Sequence, residues 1–419
     1  MAKILMLWRR LTDQLWLRPA LWSAAAVGVA LMAAVANRFV DDGVLPDIER
    51  QTLEGLLSII ASSMLTVSTF SLAVLVSVSS TTASSATPRA TRLVMADDSA
   101  QSAIAAFISA FIFAIIALTA LGVGYYGATG RFVLLLFTVC VLAWLILALL
   151  RWINTLSRLG RMSHTLETVE RAALRAMRQW HHQPALGARD GEPGNEPEGQ
   201  PVHLPRTGYL QYIDVAALQK VADELKATVH LRQRPGDFVA PKTAAAVVAG
   251  GSAPDARQLK SLTDAFVVGR DRTEEQDPRF GLMVLSEIAQ RALSSGVNDP
   301  GTAVQVVSAL ARVLMDGVRP EDDEPADAGR AREVQYPRVT CLPIQADELV
   351  HRIFEPIARD ARGNLEVASA LQQMLALIAD HTDGALQEAA RAEALAAFDH
   401  ADQGLALRRE RRALADIAK

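Results

Sequence analysis

Four long apolar runs near the start of the chain constrain its fold more than any other feature of the sequence. They cover residues 19–40, 53–78, 103–125 and 132–150. A helix needs about 20 apolar residues to cross the hydrocarbon of a bilayer, and each run is close to that length. We therefore expect a transmembrane domain of four helices over residues 19–155.

The charges that flank these runs predict how the helices are oriented. Cations lie before the first run, between the second and third, and after the fourth: Lys3, Arg9, Arg10, Arg18, Arg89, Arg92, Arg151, Arg158 and Arg161. The loop between the first two runs instead carries Asp41, Asp42, Asp47 and Glu49. Because cationic loops remain in the cytoplasm, we expect a multi-pass protein of the bacterial inner membrane with both termini cytoplasmic.

The segment before the first run is expected to lie in the membrane interface as an amphipathic helix over residues 1–18. Ile4, Trp8, Leu11 and Leu15 recur at helical spacing there, and tryptophan favours the headgroup depth. A cleavable signal is the alternative, because small residues at 34–36 resemble a cleavage site. The long amphipathic basic lead favours the interfacial helix.

The second run is unusually rich in hydroxyl groups. Ser58, Ser62, Thr66 and Thr69 recur along one side of the expected helix, and we call them the hydroxyl stripe. Such residues commonly bond their own backbone or join helices inside the bilayer. Alternatively, the stripe lines a hydrated path, which makes these four residues candidates for lining a pore. The third run carries small residues spaced for close helix packing, namely Ala103, Ala106, Ala110, Ala114, Ala117 and Gly124.

Composition argues against several other functions. No Asp, Glu, Lys or His lies in the middle of an apolar run, which disfavours a proton-coupled transporter. The chain has 42 Lys and Arg against 46 Asp and Glu, so we expect no nucleic-acid partner. Only two cysteines occur, and no His-x-x-x-His, Cys-x-x-Cys or Gly-x-Ser-x-Gly spacing is present. We therefore expect no catalytic residue, no metal site and no cofactor.

We expect the remainder of the chain to lie in the cytoplasm. Residues 156–206 predict a polar helix followed by a Gly- and Pro-rich linker. Residues 207–419 predict an α+β domain with a helical C-terminal part. Its expected strands cover residues 208–212, 228–232, 238–239, 244–248 and 339–344, and its first expected helices cover residues 215–226, 280–293 and 300–315. About four further helices fill the end of the chain.

A cluster of polar residues in this domain is the second candidate site. It comprises Arg270, Arg272, Asp277, Arg291, Asn298 and Asp299. Arginines of this kind could bind a phosphate or carboxylate ligand in a bidentate manner. A structural network of ion pairs and helix caps is the commoner explanation. We expect Arg272, Asp277, Arg291 and Asp299 to form one network near the start of the helix that begins at Pro300.

Several sequence phrases resemble one known family. They are TPR at 87–89, GYLQYID at 208–214, RPGDFV at 234–239, GRDRT at 269–273, QDP at 276–278, RALS at 291–294 and NDP at 298–300. Together with the tryptophan-containing lead and the hydroxyl-rich second run, they resemble a bacterial family of membrane proteins called domain of unknown function 2254. The resemblance implies a membrane location and this architecture, and it implies no reaction or ligand.

Two functions remain open. The first is an oligomeric ion channel or channel-like pore, a homo-oligomer in the lipid bilayer whose cytoplasmic domain assembles or gates it. The alternative is a membrane-anchored sensor or scaffold, whose Arg/Asp cluster binds a ligand or partner. The absence of catalytic motifs makes an enzyme the weakest hypothesis.

Overall fold

The structure, a computed structural model, describes residues 20–25, 27–28, 46, 48–95, 98–158, 160–192, 194, 197–318 and 334–418. The chain divides into two compact units, with the boundary between Thr165 and Leu166. The expected interfacial helix over residues 1–18 lies outside the described residues, as does most of the first apolar run. Within that run, residues 20–25 and 27–28 are helical, and the ring of Trp22 stacks on that of Trp144 at 5.0 Å.

The described N-terminal unit consists of helices. They are α1 Arg50–Ser85, α2 Pro88–Met95, α3 Asp98–Gly122 and α4 Ala128–Arg158. Three of them, α1, α3 and α4, are long and apolar enough to cross a membrane. They correspond to the second, third and fourth predicted runs, although α1 extends past both ends of its run. The remaining expected span, which is the first run in chain order, falls largely outside the described residues.

Helices α1 and α3 pack closely against each other. Leu53, Leu57 and Ile60 recur every three or four residues on the buried face of α1. The small residues of α3 lie in the same core: Ala103, Ala106, Ala110, Ala114 and Ala117 are all buried. The packing role predicted for the small-residue stripe is confirmed for these five alanines, because small side chains let the two backbones approach. It is wrong for Gly124, which is exposed and lies beyond the end of α3.

The C-terminal unit is a mixed α+β fold. Its strands are β1 Ala188–Asp190, β2 Gln200–His203, β3 Gly208–Ile213, β4 Thr228–Leu231, β5 Phe238–Val239, β6 Ala244–Ala249, β7 Phe266–Gly269 and β8 Tyr336–Cys341. Its helices are α5 Met162–His182, which crosses the unit boundary, α6 Val215–Leu225, α7 Ala256–Asp264, α8 Pro278–Leu293, α9 Pro300–Asp316, α10 Ala346–Leu349, α11 His351–Asp360, α12 Leu365–His381, α13 Gly384–Gly404 and α14 Arg408–Ile417. The predicted combination of an α+β region and a helical end is confirmed.

Two sheets organise the strands. The larger has the order β1-β8-β4-β6-β2, with β1, β8 and β4 parallel and β4, β6 and β2 antiparallel. The smaller has the order β5-β3-β7 and is antiparallel. Val229 and Leu231 of β4 alternate with partly exposed neighbours, and they share one core with Leu218 of α6 and Val339 of β8.

The predicted linker needs correction. Residues from Leu166 onward belong to the C-terminal unit, and the Gly- and Pro-rich stretch contains β1 and β2. These strands form the two edges of the larger sheet, where β1 pairs with β8 and β2 with β6. Strands of three and four residues have no local periodicity to reveal them, because their stability comes from partners distant in sequence.

Candidate functional site

The hydroxyl stripe lies on the side of α1 that faces away from α3. Ser58, Ser62, Thr66 and Thr69 are all exposed in the single chain. At about 100° per residue they lie roughly half a turn around the helix from the buried face that carries Leu57. The stripe is therefore not buried between the described helices of one chain.

Three of the four stripe hydroxyls bond to the backbone of their own helix. Ser62 Oγ donates to the Ser58 carbonyl at 2.9 Å, and Thr66 Oγ1 donates to the Ser62 carbonyl at 2.9 Å. Thr69 Oγ1 donates to the Leu65 carbonyl at 2.8 Å. Within the described chain these three hydroxyls make no hydrogen bond to another helix, so the self-bonding interpretation is confirmed for them. Each of these hydroxyl oxygens can still accept a hydrogen bond.

The second candidate site centres on Arg279, in the first turn of α8. This guanidinium is buried, and its Nε donates to Asp277 Oδ1 at 2.9 Å. Its Nη1 donates to Glu348 Oε2 at 2.8 Å. Its Nη2 donates to the Pro235 carbonyl at 2.8 Å and to Asp237 Oδ1 at 3.1 Å. One side chain thus joins α8, α10 and the turn after β4.

Two further arginines complete this charged network. Arg234 donates to Glu348 Oε1 at 2.7 Å and to the Pro343 carbonyl at 2.8 Å. Arg272 donates through Nε to Asp277 Oδ2 at 3.0 Å and pairs with the same oxygen through Nη2. The charged network therefore comprises three guanidinium groups and three carboxylates, namely Arg234, Arg272, Arg279, Asp237, Asp277 and Glu348. Arg352, whose side chain is two-thirds exposed, lies 3.8 Å from Glu348 at the edge of this network.

The electrostatics keep Glu348 and Arg279 ionised. Burial alone would raise the pKa of Glu348, but the hydrogen bonds and charges of Arg234 and Arg279 lower it to about 2. Burial would likewise lower the pKa of Arg279, but Asp277, Asp237 and Glu348 raise it above its ordinary value. These partners offset the desolvation of the buried charges, as a structural network requires.

Gly236 allows the turn between β4 and β5 to reach this network. Its φ of +93° lies in the left-handed region that favours glycine. A Cβ atom at this position would lie 2.0 Å from Asp277 Oδ2. The Gly236 amide donates to the Leu210 carbonyl at 2.7 Å, which fixes the turn against β3. The turn therefore depends on glycine both for its backbone conformation and for the space beside Asp277.

Comparison with known proteins identifies the family to which the chain belongs. The family described as a predicted membrane protein, domain of unknown function 2254, matches residues 12–377. The chain belongs to this family. Uncharacterized proteins of Mycobacterium bovis and Mycobacterium tuberculosis are each 36% identical to it over 144 residues, which cover 31% of this chain and 26% of the relative. The chain thus matches about a quarter of the length of these relatives. No solved structure matches it.

The structure separates the polar residues that the sequence grouped in this member of family 2254. It brings Arg272 and Asp277 together, and it leaves Arg270 exposed in the loop before them. Arg291 lies in the last turn of α8, about 21 Å along the helix from Asp277 at 1.5 Å per residue. The prediction of one network joining Arg272, Asp277, Arg291 and Asp299 is therefore wrong.

Asn298 and Asp299 form the cap of α9 instead. Asp299 accepts hydrogen bonds from the Thr302 amide at 3.0 Å and the Thr302 hydroxyl at 2.6 Å. These bonds lower the pKa of Asp299. Asn298 has a φ of +50°, which turns the chain into this cap. Both residues have local structural roles at the far end of α8.

Sequence reasoning missed three members of the charged network, namely Arg234, Asp237 and Glu348. Arg279, two residues after Asp277, stands in the polar stretch that the sequence marks as a candidate site. Arg234 and Asp237 belong to the turn phrase that carries the family resemblance, so a local signal for these two was present. Glu348 lies 69 positions after Arg279 and carries no local signal. Only the folded chain brings it beside Arg234 and Arg279.

Proposed function

We propose that this protein forms an oligomeric, channel-like pore in the membrane, and that its C-terminal unit assembles or gates the pore. One observation carries the proposal: the hydroxyl stripe is exposed on the side of α1 opposite its packing face. In a pore, Ser58, Ser62, Thr66 and Thr69 of several copies would face a shared axis. A ring of such oxygens can replace part of the hydration of an ion.

The hydrogen bonds of the stripe are compatible with this role. Since the hydroxyl protons of Ser62, Thr66 and Thr69 are used within α1, their oxygens face outward as acceptors. Exposed apolar residues flank the stripe, including Ile59, Leu65 and Leu72. Such residues suit contact with lipid or with a neighbouring copy. A homo-oligomer is required, because the described helices of one chain leave the stripe open.

The orientation that we propose places the C-terminal unit in the cytoplasm of a bacterial cell, with the helices in its inner membrane. Arg89 and Arg92 are exposed on α2, which follows the C-terminal end of α1. Arg151 and Arg158 are exposed near the C-terminal end of α4, from which the chain continues to the C-terminal unit. The positive-inside rule supports placing both of these ends on the cytoplasmic side.

The sensor or scaffold hypothesis receives less support from the geometry. It required the Arg/Asp cluster to bind a ligand, yet every guanidinium nitrogen of Arg279 donates to a protein oxygen. Asp277 and Glu348 already bind these guanidinium groups, so a ligand anion would have to displace a carboxylate that is in place. The stripe, by contrast, is exposed on α1.

Ion flux through reconstituted vesicles tests the pore proposal. We expect Ser62→Leu and Thr66→Leu each to reduce flux roughly tenfold or more without altering assembly, since apolar rings favour dewetting. Thr119→Leu is the matched control, because Thr119 is an exposed hydroxyl on α3 that bonds its own helix in the same way. The proposal fails if the wild-type oligomer carries no flux of any common ion under voltage, or if the control loses as much.

A further inference from the structure

A buried carboxylate and a half-exposed histidine meet between α11 and α13. Glu393 of α13 is 2% exposed, and its Oε2 lies 2.7 Å from Nδ1 of His351, the first residue of α11. Its other oxygen, Oε1, is buried and has no hydrogen-bond partner among the described residues. The carboxylate therefore depends on His351 for compensation of its charge.

The two members of this pair differ in their access to water. The His351 side chain is 55% exposed, whereas the Glu393 side chain is 1% exposed. The imidazole can therefore exchange its proton with solvent while the carboxylate stays in the protein interior. Loss of that proton would leave a buried carboxylate opposite a neutral ring, which is unfavourable because a buried charge needs a charged or strongly hydrogen-bonding partner.

We propose that His351 and Glu393 form a pH-sensitive latch, which holds α13 against α11 in acid and loosens as the pH rises through neutrality. The latch is independent of the proposed pore, since it concerns packing within the C-terminal unit. It joins two helices that already pack against each other. Its strength is set by the protonation of one solvent-accessible ring.

The charged neighbours of the latch favour the protonated state. Glu355 of α11 and Asp347 of α10 face His351, and His400 of α13 lies 3.9 Å from Glu355. Of the other helices packed on α11 and α13, α14 contributes a cation, since the Arg411 guanidinium donates to the Leu405 carbonyl at the end of α13, whereas α8 and α12 contribute neutral groups. From α8, the Ser286 hydroxyl donates to the Ile353 carbonyl, and from α12 the Gln372 amide donates to the Ala394 carbonyl.

The direction of the pH effect follows from these contacts. The hydrogen bond to Glu393 raises the pKa of His351, outweighing its partial burial, and the charges of Glu393, Glu355 and Asp347 act in the same sense. Burial raises the pKa of Glu393, although His351 acts against this. Since both pKa values are raised by folding, the folded pair holds its proton more tightly than the unfolded chain. Its stabilising effect is complete in acid and is lost as the pH rises through the pKa of folded His351.

The α10–α11 segment also carries Glu348, whose contacts do not change over the pH range in which His351 titrates. Glu348 lies three residues before His351 and is bonded to Arg234 and Arg279. Because its pKa is lowered to about 2, Glu348 remains ionised wherever His351 titrates. The α10–α11 segment is thus fixed to the charged network on one side and held by a titrating contact on the other. The loosening should be confined to the α13 side.

Hydrogen–deuterium exchange of the full chain in detergent, read by mass spectrometry at several pH values, tests the latch. Exchange at the imidazole carbon should show that His351 titrates above the ordinary value of 6.5. Amide protection in α13, corrected for intrinsic rates, should fall several-fold from pH 6 to pH 8, because the stabilising effect of the pair is lost as His351 loses its proton. Protection of the turn at residues 234–237 should not change.

Two variants and a control make the test specific. Glu393→Gln and His351→Gln should each abolish the pH dependence of α13 protection, and Glu393→Gln should lower the titration midpoint of His351. If Glu393→Gln does not fold, the exposed position of His351 keeps the second variant usable. His381→Gln, at a ring that contacts the Leu377 carbonyl, should leave the pH dependence intact. A wild-type protein with pH-independent α13 protection, or unchanged pH dependence in His351→Gln, would overturn the latch.

Discussion

Arg279 illustrates at the scale of single residues why buried charge in this protein is structural. Its guanidinium donates to Asp277, Glu348 and Asp237 as well as to a backbone carbonyl. In such a setting the energetic consequence of a substitution comes mainly from the partners that remain. Removing Arg279 would leave Asp277 and Glu348 buried with fewer cations to compensate them.

We expect Arg279→Ala to destabilise the C-terminal unit by about 3–5 kcal/mol, because uncompensated carboxylates remain in the interior. Arg312→Ala is the control: Arg312 pairs with Glu170 through two hydrogen bonds, but its side chain is half exposed, so the loss should stay below about 1 kcal/mol. Thermal unfolding of the purified protein measures both. Equal, small losses in the two variants would show that the Arg279 network is not structural.

At the scale of elements, the turn between β4 and β5 couples a backbone conformation to the charged network. Gly236 holds a positive φ, and its missing side chain leaves room for Asp277. Asp237 in the same turn accepts from the Arg234 amide at 2.8 Å and from Arg279. The turn, the start of α8 and α10 therefore form one connected structure around Arg279.

We expect Gly236→Ala to destabilise the protein by about 3 kcal/mol, since the backbone cost of a left-handed residue adds to displacement of Asp277 from Arg272. Gly250→Ala is the control that carries only the backbone cost. Gly250 has a φ of +72°, and no atom lies within 4 Å of its Cβ position. It should lose only about 1 kcal/mol. The difference in unfolding temperature between the two variants is the measurement, and a difference of zero would contradict the account.

The same elements show what the sequence could predict. Helix α9 begins where expected, at Pro300 after the cap Asp299. Helix α8 begins two residues before the expected Phe280, because Asp277 and Pro278 form the same kind of start. Strands β1 and β2 were missed, since only pairing with β8 and β6 stabilises them. The grouping of Asp299 with Asp277 failed because both belong to helix caps, and a 16-residue helix separates them. Whether two residues separated by a helix of this length come together depends on the fold, and the local sequence does not show it.

At the scale of the whole molecule, the two units bury their apolar residues differently. The membrane helices leave large apolar side chains exposed along their length, such as Ile59 of α1 and Leu136 and Leu150 of α4. A bilayer accounts for such surfaces. The hydroxyl stripe is an exposed polar part of this mainly apolar surface of α1. Its environment in the assembled protein decides between a pore lining and a surface in contact with lipid or protein.

Accessibility of a cysteine at Thr66 to a charged thiol reagent tests the pore claim most directly. The background would carry Cys140→Ser and Cys341→Ser, because Cys140 is exposed. Leu136→Cys, an exposed apolar position on α4, serves as the control. The account predicts that Thr66→Cys reacts in reconstituted vesicles and that the reaction blocks ion flux, while Leu136→Cys stays unreactive. A Thr66→Cys protein that is as unreactive as the control, with unaltered flux, would contradict it.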